Sequence, residues 1–112
     1  MMDLDTVRSI IGTYEKYGWV LRRVICTPDS NETLRAAAEG LLVMDADIDA
    51  AWFSRTPKAG EVTWELRYLG EPAFALLVSA DENAPEFEEA LREVEARLMD
   101  SLLAGTKSLT ST

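Results

Sequence analysis

The segment EVTWELRYL, residues 61–69, constrains the fold more than any other part of this chain, because hydrophobic and polar side chains alternate along it. A period of two is the period of a β-strand, so Trp64 points to one side of a sheet while Glu65 and Arg67 point to the other. The segment 73–80 is almost entirely apolar, which is typical of a strand that is buried on both faces. The chain therefore needs a sheet with helices packed against it.

Hydrophobic spacing and turn residues place the remaining elements. In chain order, we predict a helix at 3–17, a strand at 19–27, a helix at 28–40, strands at 48–55, 61–69 and 73–80, and a helix at 85–104. Gly18 and Gly40 end the first two helices, since glycine takes the left-handed conformation without steric cost. The segment 41–44 is ambiguous between an extension of the second helix and a buried connector.

The order α-β-α-β-β-β-α predicts an α+β fold. The simplest arrangement is a two-layer domain, in which a four-stranded, mostly antiparallel sheet carries the helices on one face. Short connections make the last three strands an antiparallel meander, and a right-handed crossover makes the first two parallel if they share the sheet. We expect residues 1–105 to form this single domain and residues 106–112 to form a flexible C-terminal tail.

Composition excludes several functions. The chain has 20 acidic and 11 basic residues, a net charge of −9, so it is a poor candidate for nucleic-acid binding. No segment has the ~20 apolar residues of a membrane span, and the acidic start does not resemble a signal peptide. We therefore expect a soluble cytoplasmic protein with no membrane partner. The single cysteine, Cys26, excludes an intrachain disulfide.

Three alternating aspartates, Asp45, Asp47 and Asp49, match the opening of a calcium loop. The pattern then fails, because Ala50 stands where glycine is needed and Thr56 where glutamate is needed. We interpret these acids as a solvated entrance to a strand. The chain also lacks histidine, a glycine-rich phosphate loop and a nucleophile motif, so we expect no catalytic residues, no metal and no cofactor.

The sheet face turned away from the helices carries a mixture typical of interfaces, where aromatic residues and arginine are enriched. The candidate interface residues are Phe53, Arg55, Arg67 and Glu65, together with Arg22 or Arg23 from the first strand. The alternative is a solvated sheet with ordinary cross-strand ion pairs. The leading prediction is a small, acidic, non-catalytic protein-interaction domain that forms a homodimer through the open sheet face or its edge.

Two other functions stay open. A small-molecule sensor would place a pocket between sheet and helices, lined by Trp19, Trp52, Trp64 and Tyr68, although these aromatics also suit a plain core. An acidic chaperone or adaptor would bind a separate partner protein. Alternation turns Trp52 and the following residue, Phe53, to opposite faces, and which of the two faces the core is undetermined.

Overall fold

The computed structural model describes residues 3–56, 62–71 and 73–110, with residues 104–110 described by their backbone alone. The elements in chain order are α1 (Leu4–Lys16), β1 (Val20–Cys26), a 3₁₀ turn (Pro28–Ser30), α2 (Asn31–Ala37), β2 (Leu42–Asp45), β3 (Ala50–Arg55), β4 (Thr63–Tyr68), β5 (Phe74–Ser79) and α3 (Phe87–Thr110). Gly18 and Gly40 have φ of 88° and 82°. Gly18 directly follows the C-cap residue Tyr17 and ends α1 as predicted, whereas α2 already ends at Ala37 and Gly40 lies in the turn beyond it. Pro57 and Gly60 predict a turn over TPKAG, residues 56–60, which lies outside the described residues apart from Thr56.

The strands form one sheet with the order β2-β1-β3-β4-β5. The α+β class is confirmed, and so is the antiparallel meander of β3, β4 and β5. The sheet has five strands, so the prediction of four was wrong. The parallel partner of β1 is β2, whereas β3, the strand predicted at 48–55, runs antiparallel to β1.

The missed strand, β2, lies in the segment 41–44 that was ambiguous by sequence. It has four residues, and Leu42 on it is 54% exposed. A strand this short shows too little alternation to be told from a connector, and it forms because pairing with β1 satisfies its backbone.

Helices cover both faces of the sheet, so the expected two-layer arrangement with all helices on one face was wrong. One face packs against α1 and α2, with a core of Val7, Leu21, Val24, Cys26, Leu34, Ala38, Ala51, Phe53 and Leu69. The other face packs against α3, with a core of Ile25, Ala50, Trp52, Trp64, Leu66, Phe87, Leu91, Val94 and Leu98. An apolar stripe shows that a helix packs on a sheet, but it does not show on which face.

This layering explains why Trp52 and Phe53 are both 0% exposed. Phe53 points to the α1 side, where its ring stacks on Tyr14 at 4.0 Å between centroids. Trp52 points to the α3 side, where its ring meets Trp64 edge-on at 6.2 Å. Each of the two neighbouring aromatics therefore faces a core of its own.

The last helix, α3, continues to Thr110 rather than ending at Gly105. The predicted flexibility of residues 106–112 is a separate property and stays a prediction. None of the helices in the described part of the chain combines the length and the hydrophobicity that crossing a membrane requires.

Candidate functional site

The face predicted to be open is half covered. Phe53, Arg55, Glu65 and Arg67 do share one face of β3 and β4, as alternation predicted. Helix α1 lies over the β1–β3 side of that face and buries Phe53 completely. Phe53 is therefore a core residue and is not available for contact with a partner.

The other half of this face, over β4 and β5, is not covered by α1. The β5 side chains on it belong to Ala75, Leu77 and Ser79, which are all exposed, and Leu77 is 59% exposed. The face is thus divided into a covered half and an uncovered strip, with the flank of α1 as the border between them.

A trench follows this border. Its larger part, of about 410 Å³, is lined by Thr13, Tyr14, Tyr17, Trp19, Arg55 and Glu65. Its smaller part, of about 250 Å³, is lined by Ser9, Ile10, Thr13, Tyr14 and Arg67. The two parts meet at Thr13 and Tyr14 on α1, so one flank of the helix forms a wall and the sheet forms the floor.

Tyr14 is the central residue of the trench. Burial raises the pKa of its hydroxyl well above the ordinary value, and a hydrogen bond with the carboxylate of Glu65 raises it further. Arg67 opposes this shift in pKa, and its guanidinium donates to the main-chain oxygen of Tyr68. Glu65 and Arg67, which lie two residues apart on β4, thus have opposite effects on the pKa of the Tyr14 hydroxyl.

Arg55 occupies the other end of the trench. Its guanidinium carbon lies 4.8 Å from the centroid of the Trp19 ring, a cation–π geometry, and Nη1 donates weakly to the carbonyl of Tyr17 at 3.4 Å. Among the described residues, no carboxylate forms an ion pair with Arg55. A guanidinium stacked in this way keeps its edges free to bind an anionic group.

Arg22 and Arg23 lie on the opposite face, under α3, so their placement on the open face was wrong. A β-bulge shifts the register between Leu21 and Arg23, and it turns both consecutive arginines to the same side. Arg22 donates to Ser54 Oγ at 3.0 Å and pairs with Glu82 at 2.7 Å.

Arg23 forms a bidentate pair with Glu88 at 2.8 and 2.9 Å, which raises the pKa of Arg23 and lowers the pKa of the Glu88 carboxyl. Together with the Arg22–Glu82 pair, it ties the start of α3 and the loop before it to β1. The role of the two arginines is thus to attach α3 to the sheet.

The four aromatics of the predicted sensor pocket do not come together. Trp19 packs on the α1 side of the sheet, whereas Trp52, Trp64 and Tyr68 pack on the α3 side. Trp52 and Trp64 are close-packed core residues, 0% and 1% exposed. Trp19 alone lines the trench.

Asp49 has a structural role that the sequence did not reveal. Its carboxylate accepts hydrogen bonds from Thr27 N at 2.8 Å, Thr27 Oγ1 at 3.2 Å and Ser30 Oγ at 2.7 Å. It therefore satisfies donors of the 3₁₀ turn that leads into α2. A sequence pattern for helix capping covers only neighbouring residues, so it does not show hydrogen bonds between Asp49 and residues this distant in sequence. In residues 3–56, 62–71 and 73–103, no group of three acidic or cysteine side chains is arranged to hold a metal ion.

Strand β5 forms one edge of the sheet and pairs with β4 alone. Its six residues, FALLVS, contain no charge and no proline, and its pairing with β4 has no bulge. Natural edge strands are usually protected by one of these three features. Edge β5 thus offers a regular, apolar strand to another chain.

No family model, no curated protein and no solved structure matches this chain.

Two features of the surface were missed by sequence reasoning. The hydrophobic spacing of the first helix places Tyr14 on its buried stripe but not in a site, and Tyr17, three residues later on α1, was not singled out. The i, i+3 spacing of the two tyrosines was the available signal.

Proposed function

We propose that this chain is a non-catalytic protein-interaction domain that forms a homodimer by pairing edge β5 with edge β5 of a second copy. The observation that carries the proposal is the unprotected, uncharged edge of β5 with Leu77 exposed on it. A two-fold axis normal to the sheet pairs the two strands antiparallel and keeps α3 of both copies on one face. The apolar side chains from the middle of β5 then lie opposite one another on both faces of the paired strands.

The opposite edge, β2, is a weaker candidate for the same role. It has four residues against six in β5, and its last residue, Asp45, is charged, whereas β5 contains no charge. Short length and charged side chains are common protections of an edge strand. This difference favours β5 as the edge that pairs.

Strand pairing alone is too small a contact for a stable dimer. A six-residue edge spans only ~20 Å, whereas stable interfaces bury about 800 Å² on each partner. Helix α3 supplies the additional area, since it packs on β4 and β5 beside the edge. With strands ~4.8 Å apart, an α3 axis midway between β4 and β5 would lie about 10 Å from its two-fold copy, which is a packing distance for helices.

The flank of α3 that faces the edge suits contact with its own copy. Glu88 and Glu95 contact Arg23 and Trp52, so they mark the flank that points toward β1 and β3. The opposite flank, by the 3.6-residue period, carries Ala90, Glu93, Arg97 and Ser101.

The small residues of this flank, Ala90 and Ser101, allow close approach, and Glu93 and Arg97 carry opposite charges. The two-fold axis makes the α3 helices antiparallel, so Glu93 of each copy meets Arg97 of the other if the axis passes near residue 95. The middle of β5 lies level with residue 95 of α3. Trp52 donates a hydrogen bond to Glu95, and Trp52, Leu66 and Leu76 lie opposite one another on the neighbouring strands β3, β4 and β5.

Sedimentation velocity on matched edge variants tests the proposal. We expect the wild-type protein to be a dimer at tens of micromolar, and Leu77→Lys to be a monomer because it places charge in the apolar row at the two-fold axis. The control is Leu42→Lys on β2, since Leu42 is 54% exposed and Leu77 is 59% exposed. Both variants leave the cores untouched, so both should keep the wild-type circular dichroism.

The control variant is expected to remain a dimer. A monomeric wild-type protein would refute the proposal. If Leu42→Lys were a monomer while Leu77→Lys remained a dimer, the interface would lie on edge β2 and not on edge β5.

A further inference from the structure

We propose that the trench beside α1 is a binding site for an acidic, partly apolar peptide segment of a partner protein, with Arg55 as the group that binds a carboxylate. The site lies across β4 from edge β5 and is formed within one chain. Peptide binding in the trench is therefore independent of the homodimer. It would allow the chain to act as an adaptor that binds a separate partner protein.

The charge of the trench is opposite to that of the chain. The whole chain carries −9, yet among the described residues the charged side chains that line the trench are Arg55, Arg67 and one acid, Glu65. Two positive charges against one negative charge give the trench a local preference for an anion.

The acidic residues of α3 and of the loop before it do not cancel this preference. Residues 81–100 hold eight acids and two arginines, and they lie in α3 and the loop before it, on the other face of the sheet. Charges separated by more than the Debye length of about 8 Å at physiological salt are largely screened. A peptide in the trench thus interacts with the arginines at contact and only weakly with α3.

The aromatic walls define the second half of the ligand. Trp19 stacks on Arg55, Tyr17 is 64% exposed at the rim, and Tyr14 forms part of the helix wall. A rigid aromatic wall beside an arginine is the composition of interface hot spots. The cavity of about 410 Å³ lies in the size range of sites that bind small ligands. Together these features fit an apolar side chain next to a carboxylate.

Nuclear magnetic resonance of the ¹⁵N-labelled protein with three capped peptides tests this proposal. The peptides share a central Leu-Phe pair and differ only in their flanking residues, which are glutamates, lysines or glutamines. The readout is the indole N–H of Trp19, assigned with the variant Trp19→Phe. We expect the glutamate peptide to shift this resonance to saturation, the glutamine peptide to bind about tenfold more weakly, and the lysine peptide to have no effect.

Arg55→Gln should weaken binding of the glutamate peptide about tenfold, because it removes a charge-assisted contact. Arg55→Lys keeps the charge but loses the flat stack on Trp19, and it should bind with intermediate affinity. The matched control is Arg92→Gln, which makes the same change of charge at an exposed position on α3 and should bind as the wild type does.

Equal binding of the glutamate and lysine peptides would overturn the proposal. So would an unchanged affinity in Arg55→Gln, or no shift of the Trp19 resonance at about 1 mM glutamate peptide. Each of these outcomes leaves the sedimentation result for Leu77→Lys unaffected, so the trench and the dimer are tested separately.

Discussion

The two tryptophans under α3 should lose very different amounts of stability on replacement by phenylalanine. Trp52 and Trp64 are equally buried and touch one another. Trp52 Nε1 donates to Glu95 Oε2 at 2.8 Å, whereas Trp64 Nε1 is buried with no hydrogen-bond partner among the described residues. The same substitution therefore removes a satisfied donor at one site and an unsatisfied donor at the other.

The magnitudes follow from this difference. Replacing an indole by a phenyl ring in a packed core costs ~1–2 kcal/mol in lost burial and residual cavity. For Trp52→Phe, loss of a hydrogen bond to a carboxylate adds ~1.5–3 kcal/mol. For Trp64→Phe, removal of an unpaired buried donor recovers ~1–3 kcal/mol.

The Arg22 guanidinium lies 4.9 Å from the Trp64 ring, and its weaker contact with phenylalanine costs at most ~0.5 kcal/mol. We therefore expect Trp52→Phe to lose at least ~2 kcal/mol more stability than Trp64→Phe.

Urea unfolding followed by far-ultraviolet circular dichroism measures both variants at one protein concentration. Glu95→Gln completes the comparison. It should lower the free energy of unfolding by less in the Trp52→Phe variant than in the wild type, because that variant no longer has the donor that bonds Glu95. The reasoning is refuted if Trp64→Phe destabilises the protein as much as Trp52→Phe does, or if Glu95→Gln has the same effect in both backgrounds.

Three further outcomes are expected. Phe53→Ala should lower the free energy of unfolding by about 3–5 kcal/mol in urea titrations, since the ring is fully buried and stacked on Tyr14; a change below about 1 kcal/mol would contradict its placement in the core. Asp49→Ala should cost about 1–3 kcal/mol in the same assay because it leaves the donors of the 3₁₀ turn without their acceptor. Glu93→Arg and Arg97→Glu should each weaken the dimer in sedimentation, because like charges then meet across the two-fold axis. An equimolar mixture of the two variants should restore the dimer through heterodimers in which both ion pairs form. If the mixture dissociates as readily as either variant alone, α3 is not part of the interface.

The directions of individual strand residues were largely predictable from sequence, whereas what covers each face was not. Alternation along β4 correctly placed Glu65 and Arg67 on the face opposite Trp64, because a regular strand has a period of two. The same rule failed at Arg22 and Arg23, where a bulge turns both to one face. A bulge is a feature of pairing between two strands, and a single strand's sequence does not display it.

The candidate site was predictable only in part, for the same reason. Arg55, Glu65 and Arg67 were identified by their shared face, and they do line the trench. Phe53 was wrongly expected at the surface because its cover, α1, comes from a distant part of the chain. An amphipathic stripe does not specify the face on which its helix packs, so the trench became visible only when α1 had been placed.

The most direct test of the homodimer is amide hydrogen exchange at edge β5 as a function of protein concentration. Pairing of β5 with a second copy protects backbone amides that a monomer leaves facing solvent. We therefore expect exchange in residues 73–80 to slow as the concentration rises through the dissociation constant, while exchange in residues 41–46, at edge β2, stays constant. Exchange at β5 that is rapid and independent of concentration would contradict the proposed dimer.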